Sequence, residues 1–542
     1  MPRRQHTARW LLAIFLTVFL AHFLFFSNPP LARTEVHRAL VAMDVLDHGH
    51  WVLTSILDEP YLRKPPFHPW TLAATAWLLD SREPWVFRLP SILAAAGCAT
   101  WLAWLGMRWF GRTAGIAAGF TFLWLFPLWS QNRSAEIDGL NTFLAILTWG
   151  CLVELALGRP RHVWRWSALA TLALAAALLA KGPAALTVVL AGVIAPCLAG
   201  AGVRWLLRPA VLAIFPLAAA LAGSWIVAVE VITASASRET QQAGIAEVLE
   251  RFGTLLDPAH MVGVLTMPLV LTLFALPVSL FAGLALLPSA RVSMQPQRNR
   301  RLDATLWSLG IACTLVVLFL LENPRYGYII LPILCLPAGV ALSRFLHGKL
   351  SASLAGMLTR VVPVLWITAV VALIAITIQV ALLSVPASVT LGVIAVALIT
   401  ITLIRWRTLT PARWLLMATL TLAASSTGYT LLKADQRATL SSANVAPQLA
   451  AHLAAPGETV ITGRMWNDKP GLFYYAQAQP RQRLNEALEG TPSELSTLYA
   501  LYPHEAETLE AVYPGRVEVL ERVEAERWRY VIVRLLPAAS SD

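Results

Sequence analysis

The sequence predicts an all-α polytopic membrane protein of about thirteen spanning helices, with a small C-terminal α/β domain. Three observations predict it. Of 542 residues, 57% are hydrophobic and only 13% charged, and mean hydropathy is +0.62; soluble domains carry about a quarter charged residues. Apolar runs of about 20 residues, the length that crosses a bilayer, recur from Trp10 onwards. From about Leu432 the composition turns to that of a soluble chain.

Met1 to Arg9 is basic and Trp10 to Phe26 apolar, and Ser27-Asn28-Pro29-Pro30 follows where a signal peptide would carry a small-residue cleavage site. A retained first helix with a cytoplasmic basic end is therefore expected. Twelve more spans are expected near 86–107, 113–130, 139–157, 167–181, 183–200, 209–230, 261–287, 304–321, 327–344, 361–383, 386–404 and 412–431. This phase puts basic residues inside at every turn: Arg108 and Arg112, Arg159 to Arg165, Arg204 and Arg208, Arg291 to Arg301, Arg344 to Arg360, and Arg405 to Arg413. With the N-terminus that makes seven inner segments agreeing with the positive-inside rule. The net charge of +11 is thus spread as orientation signals between apolar runs and forms no nucleic-acid-binding patch. The five cysteines sit inside apolar runs without CxxC spacing, which supports neither a disulfide framework nor a zinc site.

The same phase places the first loop, 28–85, outside, and an odd span count places the tail outside too. Domains are expected at 1–431 (membrane) and 432–542 (periplasmic α/β, with Thr459–Thr462 and Tyr530–Val533 as strands and Glu494–Leu501 as helix). In the first loop, Arg33 to Trp70 crowds acids, bases and prolines: Glu35, His37, Arg38, Asp44, Asp47, His48, His50, Tyr61, Arg63, Lys64 and His68 among them. Other outer turns carry Glu136 and Asp138, Lys181-Gly182-Pro183, the segment Ser235–His260, and Glu322-Asn323-Pro324-Arg325-Tyr326-Gly327-Tyr328. Charges forced to the bilayer midplane cost about 2.5–3.5 kcal/mol each, so they persist where they pair or act. The chemistry is expected on the outer face.

Pro60-Tyr61-Leu62-Arg63-Lys64-Pro65-Pro66 with Trp70, following Gly49-His50-Trp51, resembles the "PYFEKPP…W" signature after a "GDW" turn in the lipid-carrier-dependent glycosyltransferases of the GT-C fold. The nearest branch is the 4-amino-4-deoxy-L-arabinose transferases that modify lipid A, related to the protein O-mannosyltransferases. Asp138, Lys181-Gly182-Pro183, Glu250-Arg251-Phe252 and Arg325 before Tyr328 agree in order. The resemblance covers roughly residues 10–345. It implies inverting transfer of a sugar from a polyprenyl-phosphate (undecaprenyl phosphate) donor to lipid A, another envelope glycolipid or a protein, in a bacterial inner membrane. A lipid-linked sugar flippase is the more distant alternative.

Such a reaction needs a carboxylate opposite the leaving phosphate and cations around that phosphate. The family's acid opens an Asp-Glu-x-Arg motif. Allowing one deleted residue pairs Glu35 with the Asp and Arg38 with the Arg, one helix face apart by i,i+3; without the gap Thr34 takes the Asp position. The alternative for the Glu35–Arg38 pair is a surface ion pair. Glu35 and Asp138 are the candidate acids, the latter otherwise a helix cap. Arg38, Arg63, Lys64 and Arg325 are candidate phosphate ligands. Tyr61, Glu136, Lys181 and Tyr328 are candidate substrate contacts, each of which could instead be an interfacial anchor or cap. Where relatives carry a metal-binding Glu and His, this chain has Arg63 and Val248. No divalent metal is expected to be needed at the catalytic loop and no cofactor overall, a divalent cation staying open. The histidines of the first loop lack a metal-ligand rhythm and read as interfacial polar residues.

Overall fold

The computed structural model describes residues 2–23, 29–32, 34–56, 59–61, 64–158, 160–233, 258–292, 294–319, 324–382, 385–405, 410–439, 441–454, 459–462, 470–481, 484, 488, 498–525 and 528–536. Arg63, Glu322-Asn323 and the stretch 247–252 lie outside them, as does most of 235–260. The chain divides into two units, residues 1–26, 62–71 and 85–432, and residues 27–61, 72–84 and 433–542.

The first unit is helical. Among the described residues eight helices are long and apolar enough to cross a membrane, nine if the bent pair Thr266–Phe274 and Val278–Leu284 is one span. Others of the expected spans are shorter or broken. The stretch 113–130 divides into Arg112–Thr121, Phe122–Trp124 and Leu128–Gln131, because Pro127 cannot supply the N–H that a continuous helix needs. The stretch Val163–Ala201 passes as one segment of 39 residues, about 58 Å at 1.5 Å per residue and too long for one crossing. It breaks after Lys181, where Gly182 adopts φ +71°.

Burial sorts these helices by neighbour. In Ile137–Gly158 83% of the apolar window is buried, against 28% in Ala352–Ala381. On that second helix Val371 and Ile378 stay exposed, as does Leu382 just after it, which lipid tolerates and water does not. Small residues let the buried helices approach. Gly106 and Gly115 face each other across Pro84–Trp109 and Arg112–Thr121, and Gly339 meets the backbone of Ala114 from the other side.

Ion pairs join helix ends that the sequence phase assigns to one side. Glu154, fully buried, accepts Arg108 Nε and Nη2 at 2.9 and 2.6 Å and Trp109 Nε1 at 2.7 Å, with Arg301 Nη2 3.6 Å away. Arg108 closes one helix, Glu154 follows another, and Arg301 begins a third. Arg108 and Arg301 were expected inside, and Glu154 lies near the inner end of the expected span 139–157.

The second unit combines first-loop and tail segments. The helix Thr34–His48 leads to a two-stranded hairpin, β1 (Ser55–Ile56) antiparallel to β2 (Glu59–Pro60). In the tail, β3 (Thr459–Ile461), β4 (Gln479–Arg481), β5 (Leu498–Leu501), β6 (Val517–Ala525) and β7 (Trp528–Leu535) form a mixed sheet in the order β4-β3-β5-β7-β6. β3 runs parallel to both neighbours; β7 is antiparallel to β5 and β6. The expected strands are β3 and β7. The helix expected at Glu494–Leu501 is corrected at Leu498–Leu501, which is β5; residues 491–497 lie outside the described ones. All four residues of β5 are buried, and an apolar run covered on both faces shows no alternation to distinguish strand from helix.

The two pieces of this unit are bonded directly. Leu31 N donates to Tyr475 Oη at 3.0 Å, and Ser441 Oγ donates to Leu31 O at 2.8 Å. Helix Thr34–His48 packs on helix Pro470–Ala476. Below it, Tyr530 Oη donates to Val445 O at 2.8 Å; burial, with Glu521 adding to it, pushes this phenol far above its usual pKa, so it stays a donor.

Candidate active site

Glu35 lies in the first turn of Thr34–His48, its Oε2 accepting Ala32 N at 3.3 Å while its own N–H donates to Ala32 O at 3.2 Å. A carboxylate there is favoured by the helix dipole. One turn on, Arg38 Nη1 donates to Tyr61 Oη at 3.2 Å. Tyr61 is pinned in turn, its N–H donating to Thr54 O at 2.8 Å and its carbonyl accepting Thr54 Oγ1 at 2.9 Å. Glu35 is 3% exposed and Arg38 6%, so these two are no solvent-facing ion pair. Among the described residues Arg38 has no carboxylate partner, and its buried Nε has no hydrogen-bond partner. A buried guanidinium in that condition is a seat for an anion, because an unpaired buried charge is costly.

The first unit holds a second cluster. Helix Ile137–Val153 starts with Glu136 as N-cap residue, its side chain making no cap bond. Asp138 does not cap the helix either. Its Oδ1 accepts Lys181 Nζ, and its Oδ2 pairs with Arg325 Nε at 3.1 Å. Glu136 Oε2 is 3.8 Å from Arg325 Nη2, and Lys181 Nζ stands 4.6 Å above the Tyr326 ring. Two cations and two carboxylates thus converge from the ends of three helical segments, held where Gly182 stops one of them. Their formal charges cancel, so Asp138 holds Lys181 and Arg325 in place while Arg325, 42% exposed, remains able to turn to an incoming anion.

A pocket opens beside this cluster, lined by Gln131, Asp138, Asn141, Lys181, Arg325 and Tyr326. Gln131 Nε2 and Asn141 Oδ1 are buried without hydrogen-bond partners among the described residues. The free space there, about 10 Å³, has room for one water, which would satisfy such orphans. The sequence reading missed Gln131, Asn141 and Tyr326. Asn141 carried a signal, standing three residues after Asp138 and so on the same face.

Of the remaining candidates, Lys64 is half-buried just before helix Phe67–Leu79, and Tyr328 half-buried within the 3-10 segment Pro324–Leu334. Arg63 lies outside the described residues. Val248, the other position where no metal is expected, also lies outside the described residues.

The first-loop histidines need correction. His48 and His50 do not stand as separate interfacial residues; both turn Nδ1 to Asp44 Oδ1, at 3.1 and 3.0 Å.

Residues 32–201 match the family described as dolichyl-phosphate-mannose-protein mannosyltransferase, a stretch that includes Glu35, Arg38, Asp138 and Lys181. Comparison with curated proteins finds no match. Among solved structures the chain is similar to ArnT from Cupriavidus metallidurans bound to undecaprenyl phosphate, at TM-score 0.68 and 19% identity over 97% of this chain and 98% of that one. It is also similar to the same protein in the apo state, at TM-score 0.64 and 18% identity with the same coverage. The chain thus has the GT-C fold of ArnT, with eight helices among the described residues long and apolar enough to cross a membrane, and its residues 32–201 resemble the protein-mannosyltransferase family.

Proposed function

We propose that this chain moves a sugar, with inversion, from undecaprenyl phosphate to an envelope glycolipid, most simply lipid A, at the periplasmic face of a bacterial inner membrane. The observation that carries this reading is the buried Arg38, without a carboxylate partner among the described residues, one helical turn from Glu35. The guanidinium receives the carrier phosphate, and Glu35 takes the acceptor's proton. Tyr61 orients Arg38. In the other unit Lys64, Arg63 and Arg325 are the further candidate phosphate ligands, Asp138 and Glu136 hold Lys181 and Arg325, and Tyr328 is a candidate donor contact. ArnT, whose fold the chain shares, has been seen with undecaprenyl phosphate, which supports this choice of carrier.

A second reading, transfer to protein, is favoured by the match of 32–201 to the protein mannosyltransferase family. Mass spectrometry of lipid A and of envelope proteins from a deletion strain, with and without the gene restored, separates the two. Loss of a sugar from lipid A supports the first reading and loss from a protein the second. No change in either overturns both.

The transfer step itself needs no divalent metal on this reading. The phosphate leaving group requires only positive charge, which Arg63 and Arg38 supply, Arg63 and Val248 standing where relatives carry Glu and His. Initial transfer rates of folded enzyme are expected to survive EDTA. Abolition by EDTA at an unchanged folded fraction would overturn this.

A further inference from the structure

At the far end of the loop helix, Asp44 and His48 stand i,i+4 on one face. The helix then stops at Gly49, whose φ of +71° is open to glycine and strained for other residues. That turn brings His50 back alongside His48, with ring centroids 5.6 Å apart. Asp44 Oδ1 therefore faces three polar atoms at once: His48 Nδ1 at 3.1 Å, His50 Nδ1 at 3.0 Å and the donor Ser55 Oγ at 2.5 Å. Ser55 N occupies Oδ2 at 2.8 Å. One carboxylate oxygen offers two lone pairs: with both imidazole protons on Nδ1 hydrogen bonding overfills it, and with either on Nε2 a ring lone pair faces the carboxylate. A cation between Oδ1 and the two ring nitrogens removes the conflict, with each imidazole proton on Nε2.

The spacing suits such an ion. Zinc holds nitrogen and oxygen ligands at about 2.0–2.2 Å in a tetrahedron, which puts neighbouring ligand atoms about 3.3 Å apart. The two separations seen here are within a few tenths of an ångström of that. All three candidate ligand atoms lie within 4.8 Å of one another. Asp44 is 6% exposed, whereas His48 and His50 are about half exposed, at 54% and 47%. The site is open to solvent, leaving a fourth position for water. Imidazole with carboxylate favours zinc and its neighbours over magnesium or calcium.

We propose that Asp44, His48 and His50 form a zinc-class divalent metal site that fastens the loop helix to the β1–β2 hairpin. Asp44 lies nine residues from Glu35, about 13 Å along the helix at 1.5 Å per residue, so the ion takes no part in transfer. Its effect is on the strand pair that leads directly into Tyr61, the residue holding Arg38. Ser55 acts as a positioning residue by orienting the Asp44 carboxylate.

The test is calorimetric titration of EDTA-stripped, tag-free full-length protein in detergent with zinc chloride. Thermal unfolding is followed in parallel, and magnesium chloride serves as the comparison ion. One zinc site and a raised unfolding midpoint are expected for the wild type, with no response to magnesium. His48→Gln and His50→Gln are expected to weaken zinc binding at least tenfold, and Ser55→Ala roughly 10–100-fold, as for other residues that orient a ligand. The exposed His50→Gln and the non-ligand Ser55→Ala keep the test open should His48→Gln fail to fold. Zinc binding unchanged in all three variants overturns the proposal. So does an equal response to magnesium, or no zinc response in the wild type, which would leave a hydrogen-bonded Asp–His cluster only.

Discussion

Glu35 and Asp138 are both buried carboxylates in the first turn of a helix, yet their surroundings give them different work. Glu35 bonds backbone beside it, whereas Asp138 is spanned by Lys181 and Arg325. Glu35→Gln keeps shape and is expected to lower the transfer rate roughly 10²–10⁴-fold for a hydroxyl acceptor, the usual share of a general base, with the unfolding midpoint unchanged. A loss below tenfold, measured with radiolabelled donor, would argue for an already ionised acceptor or against Glu35. Asp138→Asn strips Lys181 of its carboxylate and is expected to lower both transfer and the unfolding midpoint. A midpoint equal to wild type would refute the holding role. Resemblance to the family's Asp-Glu-x-Arg motif singled out Glu35 and Arg38, and their i,i+3 spacing puts them one turn apart on Thr34–His48. The Asp44–His48–His50 grouping was not legible, because its last member reaches the others only through the left-handed turn at Gly49.

Helix contacts rest on glycines whose hydrogens face backbone. A Cβ on Gly115 would lie 2.3 Å from Met107 N and 2.4 Å from Ala103 O, and one on Gly339 2.4 Å from Ala114 O. Neither backbone can yield without moving a helix. Gly115→Ala and Gly339→Ala are each expected to cost about 1–3 kcal/mol, the usual range for overpacking. The helical Gly356 has open space around it, so Gly356→Ala should leave the midpoint level or slightly raised. Differential scanning fluorimetry in detergent reads all three, and equal midpoints would refute close packing. Hydropathy revealed the helices as elements, and Lys181-Gly182-Pro183 marked the break between the spans 167–181 and 183–200, but the 104° bend near Pro277 follows from local chain chemistry that an apolar average erases. β5 was misread for the complementary reason, its burial on both faces hiding its period.

For the molecule as a whole, alternation of basic loops gave the side of each helix end, and the ion pairs agree in grouping those ends. Arg108, Glu154 and Arg301 meet in one cluster, and Asp138, Lys181 and Arg325 in another. What charge alternation could not supply is which ends touch. Absolute orientation is open to direct test. Cysteines at Glu83 and Thr508, both exposed, are expected to react with an impermeant thiol reagent in intact spheroplasts. One at the exposed Arg300 is expected to react only after lysis. The reverse pattern would invert the molecule.

The bonds from Leu31 to Tyr475 and Ser441 also set a timetable. The loop helix leaves the ribosome early, but Tyr475 follows 444 residues later. At roughly 5–20 residues per second that is a wait of about 20–90 s, with the membrane helices inserted meanwhile and the loop without its seat. Ordering of this helix is thus reserved for a finished chain. A nascent or prematurely stopped polypeptide can thread the bilayer yet stay silent, its acid and arginine present but not yet assembled into a working pair. Stopping translation after Thr439 should give a protein that inserts but transfers nothing, with first-loop sites open to added trypsin that the complete chain protects.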